Sequence, residues 1–114
     1  MAFKLDESGS YQWPVTVEIP SDGGEYIKQS FEVKFKRITQ TRIREIGNEI
    51  EANKLTDVDL VKEVTIGWDG IEDEKGDEVV FSSGKLKTLL DRPRVATAIG
   101  TAFLESVMGA KRKN

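Results

Sequence analysis

Two stretches of alternating apolar and polar residues flank the segment Pro20-Ser21-Asp22-Gly23-Gly24, and this arrangement constrains the fold more than any other feature of the chain. Before the segment, Trp13, Val15, Val17 and Ile19 alternate with Pro14, Thr16 and Glu18. After it, Ile27, Phe31, Val33 and Phe35 share one face, with Lys28, Ser30, Glu32, Lys34 and Lys36 opposite. A period of two predicts half-buried strands, and the Gly-Gly turn between them predicts an antiparallel hairpin. Pro14 cannot donate to a ladder, so its strand starts there or lies at an edge. A lone hairpin is marginal in water, so its apolar face must be covered.

Helices are the expected cover. Ile43, Ile46 and Ile50 form a stripe at helical spacing behind Thr39 and Thr41, two candidate N-caps, with Gly47 inside it and Asn53-Lys54 closing it. Thr56 or Asp57 can cap a second helix through Val58, Val61 and Val64, ending at Gly67. Ser82 or Ser83 can cap a third through Leu86, Leu89 and Leu90. Asp91-Arg92-Pro93 predicts a restart, with Pro93 in the first turn of a last helix that carries Val95, Ile99, Ala102, Phe103 and Val107 and stops at Gly109. The expected class is α+β: an N-terminal antiparallel β-hairpin (11–38) followed by about four α-helices (39–110). A loosely held leader (1–10) and a basic tail (111–114) complete one domain of 114 residues.

The chain has no cysteine and no histidine, which excludes disulfides, thiolate nucleophiles, thiol or imidazole metal sites and histidine-based triads. No apolar run approaches the roughly 20 residues of a bilayer span, and Met1-Ala2-Phe3-Lys4 does not open a signal peptide, so a soluble intracellular protein is expected. The net charge of −3 argues against generic nucleic-acid binding. Its distribution is uneven: residues 57–78 hold nine acids against two bases, and residues 85–114 hold seven bases against two acids. These blocks either neutralise one another within the monomer or face solvent, or they meet between subunits and steer self-association.

Little here can do chemistry. Asp69, Asp73 and Asp77 fall near Gly70 and Gly76, but Ile71 and Lys75 occupy places where a calcium loop needs oxygen ligands. The glycine pairs match no phosphate-binding pattern, and Ser82 and Ser83 have no histidine to activate them. Lys34, Lys36, Arg37, Arg42 and Arg44 lack an interleaved stacking aromatic and read as a solvated face. No enzyme activity, metal or cofactor is expected.

What remains is binding. Trp68 stands in Gly67-Trp68-Asp69-Gly70, read as a turn between helical pieces, followed by an acidic turn and the apolar Val79-Val80-Phe81. Its ring either tucks beneath the last two helices, the favoured reading, or joins a docking surface with Ile71, Val80 and Phe81, since tryptophan is enriched among interface hot spots. Phe103 and Val107 are candidates for the same surface, although their spacing suits a core better.

From about residue 55 onward the chain resembles the tail assembly chaperones of long-tailed bacteriophages. The resemblance rests on Leu60-Val61, Thr65-Ile66-Gly67-Trp68-Asp69-Gly70-Ile71 and Asp77-Glu78-Val79-Val80-Phe81-Ser82. It continues through Leu86, Leu89-Leu90, Asp91-Arg92-Pro93, Val95, Ala98-Ile99 and Ala102-Phe103-Leu104-Glu105 to the closing Gly109-Ala110-Lys111-Arg112-Lys113-Asn114. It implies a non-enzymatic role in virion morphogenesis: binding the tape measure protein, supporting assembly of the tail tube protein, self-association into a homo-oligomer, and departure before the tail is finished. Host cytoplasm and absence from the mature virion follow, with no nucleic-acid or membrane partner. The family also implies a frameshifted long form, and Arg112-Lys113-Asn114 can be encoded as the slippery A AAA AAC. The alternative is a morphogenesis protein retained in the virion, such as a head–tail connector or tail tube component.

Overall fold

A computed structural model describes residues 2–5 and 9–109. The basic tail lies outside the described residues, as does part of the leader.

The hairpin is continuous. Strand β1 (Ser10–Pro20) pairs antiparallel with β2 (Tyr26–Lys36) in one register from Ser10 opposite Lys36 to Pro20 opposite Tyr26. Between them Gly23 and Gly24 take φ of 78° and 79°, left-handed values open to glycine without steric cost. Odd-numbered side chains make the apolar face, on which Val15, Val17, Val33 and Phe35 are buried.

Four helices follow: α1 (Gln40–Glu51), α2 (Asp57–Val64), α3 (Ser83–Leu90) and α4 (Val95–Met108). Three begin at hydroxyl caps. Thr39 Oγ1 accepts from the N–H of Arg42, and Ser82 Oγ from that of Lys85. Thr56 and Asp59 form a reciprocal capping box, each side chain accepting from the other residue's backbone N–H. Asn53, at φ 58°, ends the turn after α1. Helix α4 packs on both β1 and α2. The core joins the hairpin face to Ile46, Leu60, Val61, Val64, Ile99 and Phe103, with Phe35 and Phe103 edge to face at 5.1 Å. Truncating a buried ring such as Phe103 to alanine costs about 3–5 kcal/mol.

Three expectations are corrected. The second helix stops at Val64 rather than Gly67, and Thr65–Asp69 is a strand, β3, so the stretch 39–110 is not wholly helical. The sheet has three strands in the order β1-β2-β3. Phe35 lies opposite Thr65 and Lys34 opposite Gly67, so Ile66 is an extra residue that bulges the new strand. The free side of β2 supplies hydrogen-bond partners that outweigh any continuation of the helix.

Pro93 is not in the first turn of α4. That helix starts at Val95, and its N-cap residue, Arg94, is left-handed at φ 72°. The strain of this non-glycine conformation is offset by Arg94 contacts back to the hairpin: Glu18 at 3.7 Å and the Tyr26 ring at 4.8 Å.

Candidate functional site

The segment from β3 to Phe81 is built around one indole. Trp68 stands opposite Val33 of β2, so its ring lies on the apolar face of the sheet, at the outermost strand. Its Nε1–H donates to the carbonyl of Val79 at 2.7 Å, and Phe81 meets it edge to face at 5.0 Å. The expected turn is therefore a strand, and its ring is half-buried, clamped by the segment that returns past it.

The acidic loop between has its own frame. The carboxylate Oδ1 of Asp73 accepts from the backbone N–H groups of Lys75 and Asp77, at 2.9 and 3.0 Å. Backbone bonds run from Asp73 N–H to Asp77 O and from Val79 N–H to Ile71 O, while Gly76 turns at φ 84°. Asp73 thus organises a narrow hairpin-like loop that returns Val79 to the indole. Asp69, Glu72, Asp73, Glu74, Asp77 and Glu78 are all exposed around it.

Of the expected surface residues, the structure brings together Trp68, Ile71, Val80 and Phe81. Val80 is 75% exposed, whereas Trp68, Ile71 and Phe81 are half-buried. Phe103, at 1% exposed, is committed to the core, and Val107 packs half-buried against that core on α4. The sequence reading missed Ile66, which is 44% exposed on the bulge. Its only signal was a β-branched pair, Thr65-Ile66, at the end of a helical stripe.

Charge is organised elsewhere too. Arg42 clamps Glu63 through Nε to Oε2 and Nη2 to Oε1, both at 2.7 Å, and reaches Glu45 and Glu49 at 3.2 Å. These bonds hold the Glu63 carboxyl below its ordinary pKa and push the Arg42 guanidinium up. The guanidinium of Arg37 lies 4.9 Å from the centre of the Tyr11 ring. Two members of the expected solvated basic face are thus engaged within the fold. Among the described residues, no ion pair joins the acidic block to the basic one.

A concavity of about 960 Å³ forms an open trough between β1 and α4, lined in part by Pro14, Thr16, Glu18, Arg94, Thr101 and Glu105. Among the described residues, no helix is long and apolar enough to cross a membrane.

A family model described as phage tail assembly chaperone matches residues 1–114, the whole chain, and the chain belongs to that family. No curated protein and no solved structure matches it.

Proposed function

We infer that this tail assembly chaperone acts without catalysis by binding the tape measure protein and supporting assembly of the tail tube around it. The family match over the full length carries the reading. A surface suited to it is the apolar group at the rim of the sheet, where Val80 is exposed beside the clamped Trp68 and Phe81 and Ile66 is exposed on the bulge of the same strand. Exposed apolar side chains rimmed by carboxylates can hold an aggregation-prone segment, while the negative rim keeps the complex soluble. The chaperone works in the host cytoplasm, self-associates, pairs with a frameshifted long form of itself and leaves before the virion is complete.

Co-expression with the tape measure protein of the same phage or prophage tests the central claim. The partner is expected to stay soluble and co-purify, and Val80→Asp with Ile71→Asp is expected to release it. A wild-type chain that binds no segment of the tape measure protein would defeat the reading. Mass spectrometry of finished virions checks its departure: recovery at structural stoichiometry would instead indicate a retained component.

A further inference from the structure

The two edges of the sheet are unlike. The bonds Arg37 N–H to Gly9 O and Ser21 N–H to Glu25 O continue the β1–β2 ladder at either end. They make odd-numbered residues of β1 the hydrogen-bonded partners of β2, so its even-numbered residues turn their backbone groups outward. Pro14 and Pro20 both hold such outward positions, and neither has an N–H to offer. The β1 edge is thereby blunted against strand addition.

The β3 edge is not. The odd residues of β2 are used by β1, so Glu32 and Lys34 bond to Asp69 and Gly67, and the backbone N–H and C=O of Trp68 face outward. Among the described residues, no backbone hydrogen bond from a loop reaches them. On the polar face of this edge Glu32 stands directly opposite Asp69, and no ion pair neutralises either carboxylate among the described residues. Like charges directly across a ladder are unfavourable, so this edge calls for a cation in the next strand position. On the other face the indole, Phe81 and exposed Val80 call for an apolar neighbour.

The chain carries a segment of that pattern. Within residues 2–5, Phe3 is 93% and Leu5 81% exposed, with Lys4 between them. In an extended strand Phe3 and Leu5 share one face and Lys4 takes the other.

We propose that residues 2–5 of a second copy add as a short strand to the outer edge of β3. Lys4 lies opposite Asp69, completing the row Glu32–Asp69–Lys4, and of Phe3 and Leu5 one falls opposite Trp68, beside Val80, and the other opposite Gly70. This deepens the self-association read above and rests on it for the presence of a second copy.

The native chain has no cysteine, so the contact can be trapped cleanly. Directly opposed residues of a non-hydrogen-bonded pair have Cα atoms about 4.5 Å apart, within disulfide reach. Lys4→Cys and Asp69→Cys proteins, mixed and oxidised, are expected to give a mixed covalent dimer that neither forms alone. In sedimentation equilibrium, Lys4→Glu is expected to weaken self-association about tenfold or more, with Lys4→Glu plus Asp69→Lys restoring it. Phe3→Ser with Leu5→Ser is expected to abolish it with circular dichroism unchanged.

Absence of a mixed dimer from the oxidised mixture would overturn the proposal, as would self-association indifferent to all three variants. Failure of the wild-type chain to bind tape measure protein would sink the functional reading instead and leave the cross-link result standing.

Discussion

The indole of Trp68 donates to the carbonyl of Val79 at 2.7 Å, tying the outer strand of the sheet to the chain eleven residues later. That bond closes the acidic loop and presents Val80 outward. Trp68→Phe keeps much of the ring contact with Phe81 but leaves the Val79 carbonyl without its donor. It is expected to lower unfolding stability by about 1–2 kcal/mol, and Trp68→Ala by about 3–5 kcal/mol. Urea denaturation followed by far-ultraviolet circular dichroism measures both. A Trp68→Phe protein as stable as the parent would show that the bond contributes nothing.

The clamp of Arg42 on Glu63 makes the union of α1 and α2 sensitive to acid. Glu63 is held below its ordinary value of 4.5, chiefly by its hydrogen bonds from Arg42. The unfolded chain therefore binds this proton more readily than the folded one. The stabilisation is complete above the ordinary value and is lost as pH falls through the depressed folded one. Urea midpoints measured from about pH 7 to about pH 3 are expected to fall along this limb in the native protein. Glu63→Gln is expected to start lower at neutral pH and to fall less steeply with acid. An identical slope in the two proteins would remove Glu63 from the account.

Hydroxyl caps and the Gly-Gly turn were legible in the sequence because they are local: Thr39, Thr56 and Ser82 each act within three residues of themselves. The hairpin was legible for the same reason, its strands being joined by one short turn. Strand β3 was not, since what makes Thr65–Asp69 a strand is the open side of β2, some thirty residues earlier. Up to Val64 the apolar spacing is helical, and nothing in the next few residues announces a partner. Trp68 escaped a plug-or-surface choice because its ring is on the apolar face but on the last strand, where cover is incomplete. The clustering of Trp68 with Val80 and Phe81 could be read from proximity in sequence. The removal of Phe103 from that surface needed its contact with Phe35.

Two helical glycines that look alike in sequence should respond in opposite directions to alanine. At Gly47 in α1 an added Cβ meets nothing within 4 Å, so only backbone entropy and helix propensity change, and Gly47→Ala is expected to stabilise by about 0.5–1 kcal/mol. At Gly100 in α4 the Cβ would stand 3.3 Å from Asp57 Oδ1 and 3.8 Å from Leu60 Cδ2. Asp57 cannot yield freely, because Thr97 Oγ1 donates to its other oxygen at 3.1 Å. Gly100→Ala is expected to destabilise by about 1 kcal/mol, the crowding outweighing the propensity gain. Paired thermal melts decide the matter, and two changes of the same sign would refute the contrast.

Thr65 offers a gain in stability. It is 5% exposed, opposite Phe35 beside the bulge, and its Oγ1 is buried with no hydrogen-bond partner among the described residues. In the unfolded chain that hydroxyl is hydrated, so folding strips it of water and returns nothing. Thr65→Val replaces the hydroxyl with a methyl of similar size and keeps the β-branch favoured in a strand. It is expected to raise unfolding stability by about 1–2 kcal/mol. Thr65→Ser keeps the stranded oxygen and deletes the methyl, so it is expected to cost about 1 kcal/mol. Urea midpoints of the three proteins should therefore rank valine above threonine above serine. If valine ranked below threonine, the hydroxyl would have a partner, and the desolvation cost assigned to it would have to be withdrawn.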